Sequence, residues 1–227
     1  MRHRFGLLCL AAISGCSGLQ ESEAGVVGVE VRVPGPDSVE VGESIQLSAK
    51  PLDKNGDSVA TPVAWLSADA SATIDAAGVL TGVSPGTARV QASVGSLDSE
   101  IISFTVVAPA DTIILPADSV LTVPAGTTAA PAMVVRLESF HPPGVLPGRR
   151  VVYTITSPDP AAATPTVVFG GSAVADTTTT GDDGTATAAL TVVGTPPDTV
   201  IVDVRAKRTR GTEVPGSGQR FIVLFQP

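Results

Sequence analysis

Seven side chains offer the chemistry this sequence has. Arg205, Lys207, Arg208 and Arg210 fall within six residues, Arg149 and Arg150 stand side by side, and His141 is the one histidine beyond the first three residues. In a chain of formal net charge −8, the 205–210 cluster is the main concentration of positive charge, suited to phosphates or an acidic glycan. The same charges would also solvate a hairpin and keep exposed strands from pairing edge to edge. Residues 140–150 offer a second surface, with the Phe140 ring, the prolines Pro142 and Pro143, and Arg149 and Arg150. Loops on a rigid scaffold of strands commonly carry recognition.

Catalytic chemistry has no starting residue. His141 has no companion of the kind a zinc site or a serine triad needs. No Gly-x-Ser-x-Gly elbow opens a helix, and no glycine-rich phosphate loop is present. The expectation is a non-enzymatic protein with no cofactor and no assigned metal ligands. Asp53, Asn55 and Asp57, and again Asp182 and Asp183, cluster oxygen atoms that suit a weak calcium site. They equally spell β-turns, since Asn-Gly and Asp-Gly supply positive φ, and no glutamate follows at the spacing of a calcium loop.

The first sixteen residues, MRHRFGLLCLAAISGC, run from a basic start through an apolar stretch to small residues, the layout of an export signal. Nine apolar residues cover about 14 Å as a helix, too little for a hydrocarbon core of roughly 30 Å. Ile13-Ser14-Gly15-Cys16 resembles the lipobox of bacterial lipoproteins. That resemblance implies cleavage after residue 15, acylation of Cys16 and attachment to a membrane through two or more acyl chains, enough for stable anchoring. Ser17 resembles outer-membrane sorting signals, so a lipid-anchored place in the cell envelope, at the outer membrane, is expected. Cys9, the other cysteine, would leave with the leader, so no disulfide is available to the mature chain. Arg2 and Arg4 would leave too, deepening an acidic balance that argues against nucleic acid as a partner.

The elements that position these residues read as strands. After a tether over 16–26, short alternating runs are separated by Gly, Pro, Asn and Asp, the pattern of an all-β sandwich. Val39, Val41, Ile45, Leu47 and Ala49 predict one buried face, with Glu40, Gln46, Ser48 and Lys50 on the wet one. Further core faces are predicted at Val151, Tyr153 and Ile155; at Ala186, Ala188, Leu190 and Val192; at Val200, Val202 and Val204; and at Phe221, Val223 and Phe225. The segment Pro34-Gly35-Pro36-Asp37-Ser38-Val39 is echoed by Pro116-Ala117-Asp118-Ser119-Val120, so a second domain begins like the first. Ala108-Pro109-Ala110 is too short for a flexible coil, and it separates predicted domains at 27–108 and 111–227.

Within the first domain, Trp65-Leu66-Ser67-Ala68-Asp69, Ala72-Thr73-Ile74-Asp75, Gly78-Val79-Leu80-Thr81-Gly82, Pro85-Gly86-Thr87-Ala88 and Val90-Gln91-Ala92 follow one another in the order and spacing of a known family. They resemble the group 2 bacterial immunoglobulin-like domains of intimin- and invasin-type surface proteins. On a central strand Trp65 would fill the space between the sheets, and Gly78, Gly82 and Gly86 would take positive φ at turns. In the second domain the runs 151–155, 179–186 and 200–206 are similar to the group 1 family of the same superfamily. Glycine interrupts the family's usual Thr-Asp pair, and proline-rich segments enlarge two loops. The resemblance implies two tandem immunoglobulin-like sandwiches in a surface protein that binds or adheres to a protein or a glycan; the candidate contacts are the side chains named from charge and loop position, Arg205, Lys207, Arg208, Arg210, His141, Arg149 and Arg150. Its alternative is a structural spacer or envelope-assembly subunit with no soluble ligand. A third reading makes it an accessory to a carbohydrate-processing system.

Overall fold

The computed structural model describes residues 25–161 and 164–227. Cys16, the expected leader and most of the expected tether lie outside the described residues. Among the described residues every regular element is a strand. The first half holds β1 (Gly28–Arg32), β2 (Ser38–Glu40), β3 (Ser44–Gln46), β4 (Ser48–Leu52), β5 (Ala64–Ser67), β6 (Ala72–Ile74), β7 (Val79–Gly82), β8 (Gly86–Val94), β9 (Leu97–Asp98) and β10 (Ile102–Val107). The second holds β11 (Thr112–Ile114), β12 (Val120–Val123), β13 (Met133–Phe140), β14 (Pro143–Val145), β15 (Arg150–Ser157), β16 (Val167–Val168), β17 (Ala175–Thr179), β18 (Thr185–Ala188), β19 (Thr191–Val192), β20 (Thr199–Ala206) and β21 (Gln219–Phe225).

These strands build two immunoglobulin-like sandwiches, the fold class the alternating pattern predicts. In the first, the sheet β2-β10-β8-β5 faces β3-β7-β6 and the pair β1-β4. In the second, β12-β21-β20-β15-β17 faces β11-β13-β14, with β18 on β13. Both share an unusual feature for a sheet otherwise made of antiparallel neighbours: the edge strand runs parallel to the last strand of the sandwich. Val39 pairs with Val106 across β2 and β10, and Leu121 pairs with Val223 across β12 and β21. The echoed Asp-Ser-Val segment leads into this parallel strand each time.

Each sandwich closes over its own apolar core, one from Val39, Ile45, Leu47, Leu80, Val90, Phe104 and their neighbours, the other from Met133, Leu137, Tyr153, Leu190, Phe221 and theirs. The predicted faces of the second sandwich are buried throughout, except that Val192 is only partly covered. The dominant stabilisation is this removal of apolar surface from water, and neither sandwich draws on a disulfide. Tyr153 is the largest fully buried side chain, and its hydroxyl donates to the Ala186 carbonyl oxygen at 2.7 Å. Burial pushes its phenol above the ordinary range, so the ring stays neutral. Tyr153→Phe is expected to cost about 1 kcal/mol, the worth of one neutral hydrogen bond, read as a lowered midpoint in urea unfolding with an unchanged slope.

Three local expectations change in the structure. Trp65 is half-buried on β5, the end strand of its sheet and not a central one, where it packs on the edge of the first core. Gly78 (φ +82°) and Gly86 (φ +151°) do have positive φ, but Gly82 does not. Gly82 is required for a different reason: a Cβ there would lie 2.6 Å from the Glu40 carbonyl oxygen. The third change is Glu40 itself. Alternation puts its side chain on the wet face, yet it is completely buried.

Candidate functional site

Glu40 closes β2 at the edge of the first sandwich, one residue past Val39, so the pleat turns its side chain away from its own core. There it meets the second sandwich. Its Oε2 accepts from the Ala110 N–H at 2.9 Å, inside the expected joint between domains. Its Oε1 lies 3.0 Å from Arg149 Nη1, and accepts from both the N–H and the hydroxyl of Thr209 at 3.2 Å. Arg208 approaches Oε2 at 3.7 Å. A carboxylate taken out of water is strongly unfavourable unless it is paired and hydrogen-bonded, and here both oxygens are satisfied.

The arginines are held on their other sides as well. Arg149 donates to the Ala108 carbonyl oxygen at 2.6 Å and to Thr209 Oγ1 at 3.0 Å. Arg208 donates to the Ala110 carbonyl oxygen at 3.0 Å and pairs with Asp111 at 3.2 Å. The other Asp111 oxygen accepts from the Phe140 N–H at 2.7 Å. Two carboxylates and two guanidinium groups thus form a nearly neutral, mostly buried knot. Next to it, Arg210 reaches back to the carbonyl oxygens of Pro34 at 2.6 Å and Pro36 at 3.3 Å. The planar, multi-donor guanidinium suits this work, since each ring of contacts needs several N–H groups from one charge. The loop between β20 and β21 therefore clamps the second sandwich onto β2 of the first.

The seven residues singled out in the sequence divide accordingly. Arg149, Arg208 and Arg210 are spent inside the chain at this joint. Arg150, Arg205 and Lys207 are exposed, on the outer face of β15 and β20. His141 is exposed at the turn between β13 and β14, where its N–H donates to Ser139 Oγ at 3.2 Å. Residues 140–150 are less of a loop than expected, because β14 folds back on β13, pairing Val145 with Glu138 and Pro143 with Phe140.

The exposed cations line an open groove of about 760 Å³ beside the joint, with Ser38 and Val107 of the first sandwich on one side and Val152 and Glu213 on the other. Arg205 Nη1 lies 3.1 and 3.2 Å from the two oxygens of Glu213. Val151 pairs with Ala206 and Val152 with Arg205, a register that leaves Arg150 and Lys207 at the end of the ladder, where the backbone of Lys207 bridges to that of Glu213. Neither Arg150 nor Lys207 has a carboxylate within ion-pair distance among the described residues. Because β20 lies between β21 and β15, its cations guard no open strand edge. That removes the edge-protection explanation for this half of the cluster.

The oxygen-rich turns serve the backbone. Asp53 Oδ1 accepts from the N–H groups of Asn55 and Asp57 at 2.8 and 2.9 Å, and Asp183 Oδ1 accepts from the N–H and hydroxyl of Thr185 at 2.9 and 2.7 Å. Those backbone donors hold both carboxyls below the ordinary carboxylate range. Among the described residues no three His, Cys, Asp or Glu side chains converge to hold a metal ion.

Two sandwiches, each closed by a parallel edge strand and clamped together by a buried charge network, define a tandem immunoglobulin-like protein. Residues 30–102 match the family model of the bacterial Ig-like domain (group 2). No curated protein sequence matches the chain. Among solved structures it is similar to the Yersinia pseudotuberculosis adhesin InvE, at 17% identity and a TM-score of 0.41, covering 91% of this chain and 62% of the adhesin. It is also similar to domains 4 and 5 of the S-layer protein SbsC (19% identity, TM-score 0.33, covering 90% of this chain and 100% of that one). A further likeness is to the D00-D0 domain of intimin (13%, 0.31, 88% and 100%).

Proposed function

We propose that this chain is a non-enzymatic lipoprotein of the bacterial cell envelope that binds a protein or a glycan at the cell surface. In this reading residues 1–15 are an export signal, Cys16 carries the lipid that holds the protein to the outer membrane, and residues 16–26 are the tether. Domains at 27–108 and 111–227 stand beyond it. The observation that carries the binding role is the groove beside the joint, where Arg150, Arg205 and Lys207 remain open to solvent while their neighbours are consumed in holding the sandwiches together. Support for the surface setting comes from the lipobox residues and from the family of the first domain.

A second reading, a spacer or assembly subunit of the envelope, is favoured by the clamp itself, because a rigid joint is what a spacer needs. Protease shaving of intact and permeabilised cells separates the two. Loss of peptides from residues 111–227 on intact cells is the expected result. Protection until permeabilisation would sink the surface role and leave the spacer.

A further inference from the structure

The open half of the basic cluster has a property that points to what it binds. Arg150 opens β15 and Lys207 follows the last residue of β20, so the two cations flank the end of the ladder in which Val151 pairs with Ala206, and like charges placed near each other repel. The strands they adjoin, β15 and β20, are interior to the sheet, so the two cations are not there to block an edge. Among the described residues neither forms an ion pair within 4 Å, although the chain is strongly acidic; Glu213, the backbone bridge partner of Lys207, gives its carboxylate to Arg205. The arrangement is an unpaired positive doublet, next to a guanidinium that already shows how a carboxylate docks on this face.

The surroundings narrow the ligand. Across β15 the register places Thr179 opposite Arg150 and Thr177 opposite Val152, both exposed. The face therefore offers two free cations, two hydroxyls and a single exposed apolar side chain, Val152. An acidic peptide would want a pocket for an aromatic or aliphatic anchor beside its carboxylates, and this face supplies none; the edge of β17, which ends the sheet, is the one place an extended peptide could add, and the poly-glutamate arm of the test below separates that case. A chain rich in hydroxyls with carboxylates at intervals finds a partner for each group. We propose that the groove formed by Arg150, Lys207, Arg205 and Val152 with the Thr177–Thr179 row binds a carboxylated polysaccharide, a polymer of uronic-acid type. This deepens the surface-binding reading and rests on it for its biological setting only.

The test uses the full chain in detergent, titrated by calorimetry with a polygalacturonate oligomer, its methyl-esterified form and poly-glutamate. Saturable binding of the free acid that weakens with added salt, with none of the ester, is the expected result. Arg150→Ala and Lys207→Ala should each weaken it about tenfold, in keeping with one charge-assisted contact. The double variant Arg150→Glu, Lys207→Glu should abolish it. The alanine variants should melt close to the parent, since both side chains are exposed and hold no ion pair among the described residues, so a loss of binding is not a loss of fold. The proposal is overturned if the free acid does not bind, if binding survives the double reversal, or if poly-glutamate binds as well as the oligomer. None of those outcomes touches the shaving result, which decides surface exposure without reference to any ligand.

Discussion

Glu40→Ala is expected to uncouple the two sandwiches. The variant strips the counter-charge from Arg149, leaves Arg208 with Asp111 alone, and removes the acceptor from the Ala110 N–H and from the N–H and hydroxyl of Thr209. Removing one member of a buried ion pair typically costs about 3–5 kcal/mol, because the remaining charges stay desolvated without compensation. The loss falls on the contact between the sandwiches and not on either apolar core, since the Glu40 side chain points away from the core that Val39 enters. Calorimetry of the parent should show coupled unfolding, and the variant should separate it into two transitions. Small-angle scattering should show a broadened spread of interdomain distances. Glu40→Gln, which keeps the shape and one acceptor, should fall between them. Unchanged calorimetry and scattering in Glu40→Ala would show that the clamp does not couple the sandwiches.

Gly184→Ala should be the most damaging single-atom addition to the second sandwich. Gly184 has φ +72°, and a Cβ there would lie 2.7 Å from Val145 Cβ and 3.0 Å from both the Leu137 carbonyl oxygen and the Leu146 nitrogen. None of these atoms is the free end of a flexible side chain, so the β13–β14 hairpin would have to move. The left-handed backbone costs about 1–2 kcal/mol for alanine and overpacking roughly 1–3 more. A loss of that size lowers the melting temperature of a domain of about 100 residues by roughly 10 °C or more. The change should appear in the second transition of the Glu40→Ala background and leave the first in place. Equal shifts in both, or none, would contradict the packing described here.

Gly184 also shows where the sequence runs out. The Asp182-Asp183-Gly184 run reads correctly as a turn, because the need for positive φ is local. That the turn is wedged beneath a hairpin some forty residues earlier in the chain is not local, and no spacing reveals it. Gly82 is the sharper case: its glycine is demanded by a carbonyl on another strand and not by its own φ. The apolar faces of β13, β15, β18, β20 and β21 are legible because burial within one sandwich has the period of the strand. Glu40 is illegible for the same reason. Period-two alternation reports which face a residue takes in its own sandwich, and says nothing of a second sandwich laid against the outer face. The basic cluster was visible as charge, but its division was not. Arg149 and Arg150 are adjacent in sequence, yet one is drawn into the joint and the other left in the groove.

The parallel pairing of β2 with β10, and of β12 with β21, gives each sandwich a particular response to tension. A chain held at its start and pulled at its far end first loads β1 and β11, which pair elsewhere, and then draws the parallel strands lengthwise past each other, since β2 and β12 take the pull passed on from the start and β10 and β21 the pull leaving the sandwich. Hydrogen bonds that lie across the line of force are then strained together and do not peel one at a time. The knot at Glu40 sits on the shorter of these two pairs, three residues against four, and adds its ionic contacts where the ladder is weakest. A molecule pulled between its ends resists the load in both sandwiches by the same means.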